Sequence, residues 1–208
     1  MKRYLAEFIG TFFLVLTIGC TGIPAAPGVI PPLAIGAVLM VMVYAGGHVS
    51  GAHYNPAVTL AVWIRGRCDA ATAIPYILTQ IIAAAVASYV VGYMIGFPPL
   101  SEKVIAVGPA FLAEFLFTFA LAYVVLNTAT AKSTAGNSYF GLAIGMTVMA
   151  GAFAVGPISG GAFNPAVAFG IGLMHLLKFS NIWIHLSAEV LAAVAAGLAF
   201  KAINPNDP

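Results

Sequence analysis

The chain is a succession of long apolar runs divided by short polar breaks, without the strict alternation of a half-buried strand or the single apolar stripe of a surface helix. Runs near 3–22, 33–50, 71–96, 108–130, 137–156 and 181–203 are each close to the roughly 20 residues that a helix needs to cross a hydrocarbon core. They predict six transmembrane helices. Two further apolar segments, 55–66 and 164–176, are too short to span, and each begins at an Asn-Pro pair. Asn is a favoured helix N-cap, and Pro suits the first helical position because its missing N–H forfeits no intrahelical bond. Two half-helices therefore start inside apolar sequence, which a membrane accommodates only where the irregular backbone is buried in protein or lines a water-filled cavity.

The pattern repeats. Ser50-Gly-Ala-His-Tyr-Asn-Pro-Ala-Val-Thr59 returns as Ser159-Gly-Gly-Ala-Phe-Asn-Pro-Ala-Val-Ala168, an offset of 109 between Asn55 and Asn164. Ala6-Glu-Phe-Ile-Gly-Thr-Phe12 returns as Ala113-Glu-Phe-Leu-Phe-Thr-Phe119, an offset of 107. One channel-sized domain over 1–208 is thus expected to hold two halves, about 1–97 and 104–208. Each half has three spans, so the second enters the membrane in the opposite sense. Such an inverted repeat gathers its matched elements near the midplane. Gly92 with Gly96, and Gly141 with Gly145, have the spacing of close helix crossings.

Composition removes the soluble alternatives. The chain is 62% hydrophobic and 7% charged, with a mean hydropathy of +1.02, too little polar surface for a water-soluble domain. A net charge of +2 on scattered residues leaves no nucleic-acid footprint. Met1-Lys-Arg and the apolar run behind it look like a signal peptide. Glu7 and the lack of a small-x-small cleavage site make that run a retained first span instead. On this topology Lys2, Arg3, Arg65, Arg67, Lys132 and Lys201 share one face, with Lys103 and Lys178 on the other. The positive-inside rule then makes both termini cytoplasmic. Cys20 and Cys68 fall on opposite faces, out of disulfide reach.

Half-helices entering from opposite sides bring their N-terminal ends together, each worth about half a positive charge. A cation or a migrating proton is opposed there. The amides of Asn55 and Asn164 can cap the helices and also donate to a passing solute, so the natural traveller is neutral and hydrogen-bonding. Glu7 and Glu114 are ionisable groups within spans and need partners. Their matched positions indicate one structural role filled twice, with a proton relay as the alternative. Glu189 has no evident partner. His48, His53, His175 and His185 lack the convergence a metal site requires, so no metal and no cofactor is expected, although a pH gate through His53 or His175 stays open. The chain shows no nucleophile paired with a base, which argues against an enzyme.

Together, the Ala-Glu-Phe openings, Gly47-His48-Val-Ser-Gly and the two Asn-Pro-Ala boxes, in this order, resemble the aquaporin or major intrinsic protein family across essentially the whole chain. The resemblance implies an all-α hourglass of six membrane helices and two re-entrant half-helices, assembled in lipid as a homotetramer with one pore per subunit. It places Asn55, Pro56 and Ala57 with Asn164, Pro165 and Ala166 at the pore centre. It has the backbone of His53, Tyr54, Gly160, Gly161, Ala162 and Phe163 line the path, and Glu7, Glu114 and His48 support the loops. Half-helix dipoles are the established account of ion exclusion in aquaporin-type pores. One departure matters. Water-selective members and most glycerol conductors carry Arg after the second box, whereas Val58 and Val167 follow the boxes here, and Ala168 stands where glycerol facilitators have Asp.

Counting from the two asparagines carries the family's selectivity constriction to Ile35, Ala152, Gly161 and Val167. That ring is apolar and roomy. It implies a bacterial-type channel, in the inner (plasma) membrane, for water and small uncharged solutes such as glycerol, urea, hydrogen peroxide and arsenous or other metalloid acids. A strictly water-selective pore, a secondary transporter with a coupling-ion site, and a junction-forming membrane protein are the alternatives.

Overall fold

In the computed structural model, which describes residues 1–24, 28–101 and 105–207, the apolar runs are helices and the polar breaks are turns. The order is α1 (Lys2–Gly22), α2 (Ile30–Ser50), α3 (Pro56–Arg65), α4 (Ala70–Ile95), α5 (Val107–Val125), α6 (Phe140–Ser159), α7 (Pro165–Leu173) and α8 (Ile182–Ile203). Among the described residues, six segments are long and apolar enough to cross a membrane. Helix α2 starts before the expected 33 because Pro31 and Pro32 occupy its first turn, where a missing N–H is tolerated. Helix α6 starts after the expected 137. The Asn137 amide donates at 2.7 Å to both Thr128 O and Thr134 O, and this polar turn keeps the segment out of the helix.

The two halves interlock. Helix α1 packs on α2 and α4, α5 packs on α6 and α8 in the same way, and α2 meets α6 across the centre. Each half-helix lies against the closing helix of the other half, α3 on α8 and α7 on α4. The midline crossing depends on bare backbone. A Cβ on Gly36 would stand 2.6 Å from Met149 Cβ, and one on Gly145 would press into the Gly36 carbonyl. The other small-residue pair has no such role. Gly92 abuts the Phe97 ring, and Gly96 takes φ +74° in open space as the chain leaves α4, so local turning explains that spacing. Apolar side chains at helical intervals on α4, including Ile74, Leu78, Ile82 and Tyr89, are exposed, as a surface meeting lipid requires.

Charge gathers at the end of the molecule where α3 stops. Arg65, expected on the same membrane face as Arg67 and Lys132, is fully buried: it donates to Thr130 Oγ1 at 2.8 Å, to Thr130 O at 3.0 Å and to Asp207 Oδ1 at 2.8 Å. Its guanidinium also stacks on Phe200, 4.5 Å from the ring centroid. Helix α5 widens into a π-turn over Leu126–Thr130 where this arginine docks, a local irregularity typical of functional contacts. Asp207 further accepts the Lys132 amide at 2.7 Å and Arg67 at 3.3 Å. Arg65, Arg67 and Lys132 thus share one face, while Lys103 lies outside the described residues.

Two outcomes follow from this packing. Gly145→Val should overfill the α2–α6 crossing and cost about 1–3 kcal/mol, measured as a lower melting temperature in detergent, while Gly96→Ala at the chain reversal should leave the crossing intact. The Lys132 amide first, with Arg65 adding, holds the Asp207 carboxyl below the usual carboxylate range. A depressed folded value gives stability that is present at neutral pH and lost as pH falls through it. Melting temperature should therefore drop in acid more steeply for the wild type than for Asp207→Asn.

Candidate pore

Both loops before the half-helices trace the same strained path. Gly51, Ala52 and Tyr54 have φ of 86°, 51° and 49°, and Gly160, Gly161 and Phe163 have 104°, 66° and 50°, positions related by the 109-residue offset. Left-handed backbone at non-glycine residues persists only where the surroundings over-determine it. A buried glutamate supplies that determination on each side. Glu7 Oε1 accepts Ser50 Oγ at 2.6 Å and the His53 amide at 3.0 Å, while Oε2 accepts the Tyr54 amide at 2.7 Å and Gln80 Nε2 at 2.9 Å. Glu114 Oε1 accepts Ser159 Oγ at 2.6 Å and the Ala162 amide at 3.1 Å, and Oε2 accepts the Phe163 amide at 2.8 Å. Both carboxylates are fully buried.

With their N–H groups held, the loops join at the half-helix tips. Asn55 Oδ1 caps α3 by accepting the amides of Ala57 at 2.8 Å and Val58 at 3.4 Å; Asn164 Oδ1 caps α7 through Ala166 at 2.9 Å and Val167 at 3.4 Å. Each side-chain amide then crosses the axis. Asn55 Nδ2 donates to Phe163 O at 2.8 Å, and Asn164 Nδ2 donates to Tyr54 O at 2.9 Å. An amide nitrogen has two hydrogens, so each asparagine spends one on the opposite loop and has a second with no protein acceptor among the described residues. Pro56, Ala57, Pro165 and Ala166 are buried in the first turns that meet there.

Three cavities run in sequence past this junction. The central one, touching Asn55 and Asn164, has a volume of about 30 Å³, above the roughly 10–15 Å³ that one water requires. On one side lies a vestibule of about 260 Å³, lined by Ile35, Ala152, Gly161 and Val167 among others. It shares Ile18, Ile35, Gly161 and Val167 with the central cavity, while Ala152 lines the vestibule alone. On the other side a vestibule of about 520 Å³ shares His53 and Val125 with the centre, and carries Arg67 and Lys132 at its wall. The structure therefore brings the four expected constriction residues to one space. Ile18 and Val125 escaped the sequence reading although a signal was present: each stands eleven residues after Glu7 or Glu114, about three turns along the same helix face.

His48 departs from its expected role. It is exposed beside the 134–137 turn and Phe140 and holds no loop hydrogen bond among the described residues. Its place near the end of α2 turns it to that outer groove. The Ser50 carbonyl is held instead by Tyr76 Oη at 2.9 Å. His53 does face the path, with Nδ1 3.1 Å from Thr59 Oγ1. His175 bonds Pro98 O at 3.0 Å, away from the central cavity. Glu189, unpartnered in the sequence reading, accepts the Asn164 amide at 2.9 Å.

Comparison with known proteins agrees with this geometry. The major intrinsic protein family model matches residues 1–200. A glycerol uptake facilitator-like protein 6 from Lactiplantibacillus plantarum is 36% identical over 217 residues, spanning 100% of both chains. Aquaporin NIP1-3 of Oryza sativa is 35% identical over 221 residues, covering 99% of this chain and 75% of that protein. The solved aquaglyceroporin of Plasmodium falciparum superimposes with a TM-score of 0.83 over 98% of this chain and 97% of that one, at 19% identity.

Replacing Glu114 with Leu should strand the donors of Ser159, Ala162 and Phe163, each lost partner costing about 1–3 kcal/mol. The expected result is a fall in the yield of folded protein, read by size-exclusion chromatography, that Glu114→Gln partly recovers. A Leu variant that folds normally but gains proton conductance would instead support a relay.

Proposed function

The chain belongs to the major intrinsic protein family and is a passive membrane channel for water and small solutes such as glycerol; from that premise we propose that its apolar neck passes neutral solutes larger than water, urea and arsenous acid among them. The observation carrying this reading is the neck itself. Ile18, Ile35, Gly161 and Val167 bring no charged side chain and no side-chain donor to the boundary between vestibule and centre. An arginine there would set a fixed charge and several donors into a tight ring. Val167 supplies neither, and Gly161 leaves its side of the wall to backbone.

In this reading Asn55 and Asn164 each offer a hydrogen to the solute, and the backbone carbonyls of His53–Tyr54 and Gly160–Phe163 accept its hydrogens in turn. Cations meet two half-helix N-termini aimed at the same point, where aligned peptide dipoles oppose them. Without a filter arginine, these dipoles carry the exclusion. Neutral solutes pass by exchanging bonds with water for bonds with the path. The family is one of channels rather than enzymes, and we assign no catalytic step to any residue.

The same proposal covers assembly and orientation. The channel works as a homotetramer in a bacterial inner membrane, with the Arg67 and Lys132 vestibule facing the cytoplasm. The grouping of Arg65, Arg67 and Lys132 on one face supports that sense of insertion. The two halves, 1–97 and 104–208, act as one domain, because each half-helix rests on the other half.

Stopped-flow light scattering on proteoliposomes tests the reading through Val167→Arg. Urea and arsenous-acid permeability should fall about tenfold, the effect of roughly 1.4 kcal/mol on a barrier, with water affected far less. The ratio is decisive, because damage to the fold lowers all three together. An unchanged ratio would take the constriction away from residue 167, and a wild type that passes only water would establish the strictly water-selective alternative.

A further inference from the structure

The residues behind the loops obey the same 109-residue offset as the loops themselves. Tyr76 and Gln80 on α4 correspond to His185 and Glu189 on α8. The first pair is equivalent in function, since Tyr76 Oη and His185 Nε2 each stand 2.9 Å from a carbonyl oxygen, of Ser50 and Ser159. Because a carbonyl only accepts, His185 carries hydrogen on Nε2. The second pair is chemically unequal. Gln80 Nε2 donates to Glu7 Oε2 at 2.9 Å and to Thr59 Oγ1 at 3.1 Å. Its counterpart Glu189 is a carboxyl, fully buried like Glu114, and the two accept consecutive backbone amides, Glu114 Oε2 that of Phe163 at 2.8 Å and Glu189 Oε1 that of Asn164 at 2.9 Å.

Two ionised carboxyls on neighbouring amides, away from water, would repel with little between them. Glu114 already accepts from Ser159, Ala162 and Phe163. Glu189 Oε1 accepts the Asn164 amide, while no donor among the described residues reaches its Oε2. The titratable groups facing this pair are few. His185, on α8 itself, lies 3.6 Å from Glu114 Oε1 with its Nε2 hydrogen directed at Ser159 O. Arg65, from the packed half-helix α3, is engaged at the far end by Thr130, Phe200 and Asp207. None of these supplies the missing hydrogen.

We propose that Glu189 carries a proton and donates it to Glu114, so that a carboxylic acid fills in the second half the place of the Gln80 amide in the first. The proton stays between the two carboxyls; no bond is made or broken elsewhere. One negative charge then stands behind each loop, Glu7 for the first and Glu114 for the second. The two half-helix ends are thereby balanced electrostatically although the halves differ in their number of buried acids.

Infrared spectroscopy of the protein reconstituted in lipid, in D2O at neutral pH, reads the proton directly. The wild type should show the C=O stretch of a protonated carboxyl, and Glu189→Gln should abolish it. Gln80→Glu builds the same pair in the first half and should add a second band, which keeps the assignment testable should Glu189→Gln fail to fold. A wild-type spectrum without the band overturns the proposal. So does a band that survives in Glu189→Gln, or a folded Gln80→Glu variant that gains none.

Discussion

Irregular backbone at the depth of a membrane must have its polar groups satisfied inside the protein, and this requirement governs the molecule. Two loops enter apolar surroundings in left-handed conformations that expose consecutive N–H groups on one side. Glu7 and Glu114 collect those groups, so the opposite, carbonyl side is turned toward the path. The crossed bonds from Asn55 to Phe163 and from Asn164 to Tyr54 then fix one loop against the other. The geometry of the path is therefore a by-product of satisfying the loops. A polar lining appears where the buried donors have already been used and acceptors remain.

Much of this was legible in the sequence, for definable reasons. Run lengths gave the six spans, and Asn-Pro within apolar sequence gave the half-helices, because capping is a local rule that tertiary context seldom overrides. The duplicated phrases placed Asn55 opposite Asn164 and paired Glu7 with Glu114. What stayed hidden depended on how each helix is rotated. Ile18 and Val125 follow Glu7 and Glu114 by eleven residues, about three turns along one face, so the buried glutamates carried the orientation that the apolar run lengths did not. The 109-residue offset, applied beyond the boxes, would have set Glu189 in the place of Gln80, behind the second loop.

The two ends of the path differ in chemistry although the backbone is nearly symmetric. On the Val167 side the approach is apolar, with several glycines and Phe153 in its wall and side chains that can neither hold a charge nor accept a proton. On the other side His53, Arg67 and Lys132 border the approach, and Arg65 anchors the half-helix beneath them. One entrance is apolar and the other basic. The inverted repeat supplies the frame, and substitutions in single copies supply the polarity.

The exchange of half-helices between repeats has a consequence for how the protein is made. Helix α3 leaves the ribosome more than a hundred residues before α8, on whose surface it rests. Arg65, at the foot of α3, finds Asp207 only after α8 has been threaded. During translation the first loop can reach Glu7 and Gln80, and its half-helix can lie against α4, before its larger contact with α8 exists. The early half must wait in the bilayer, held by its own glutamate, until the late half arrives to close it.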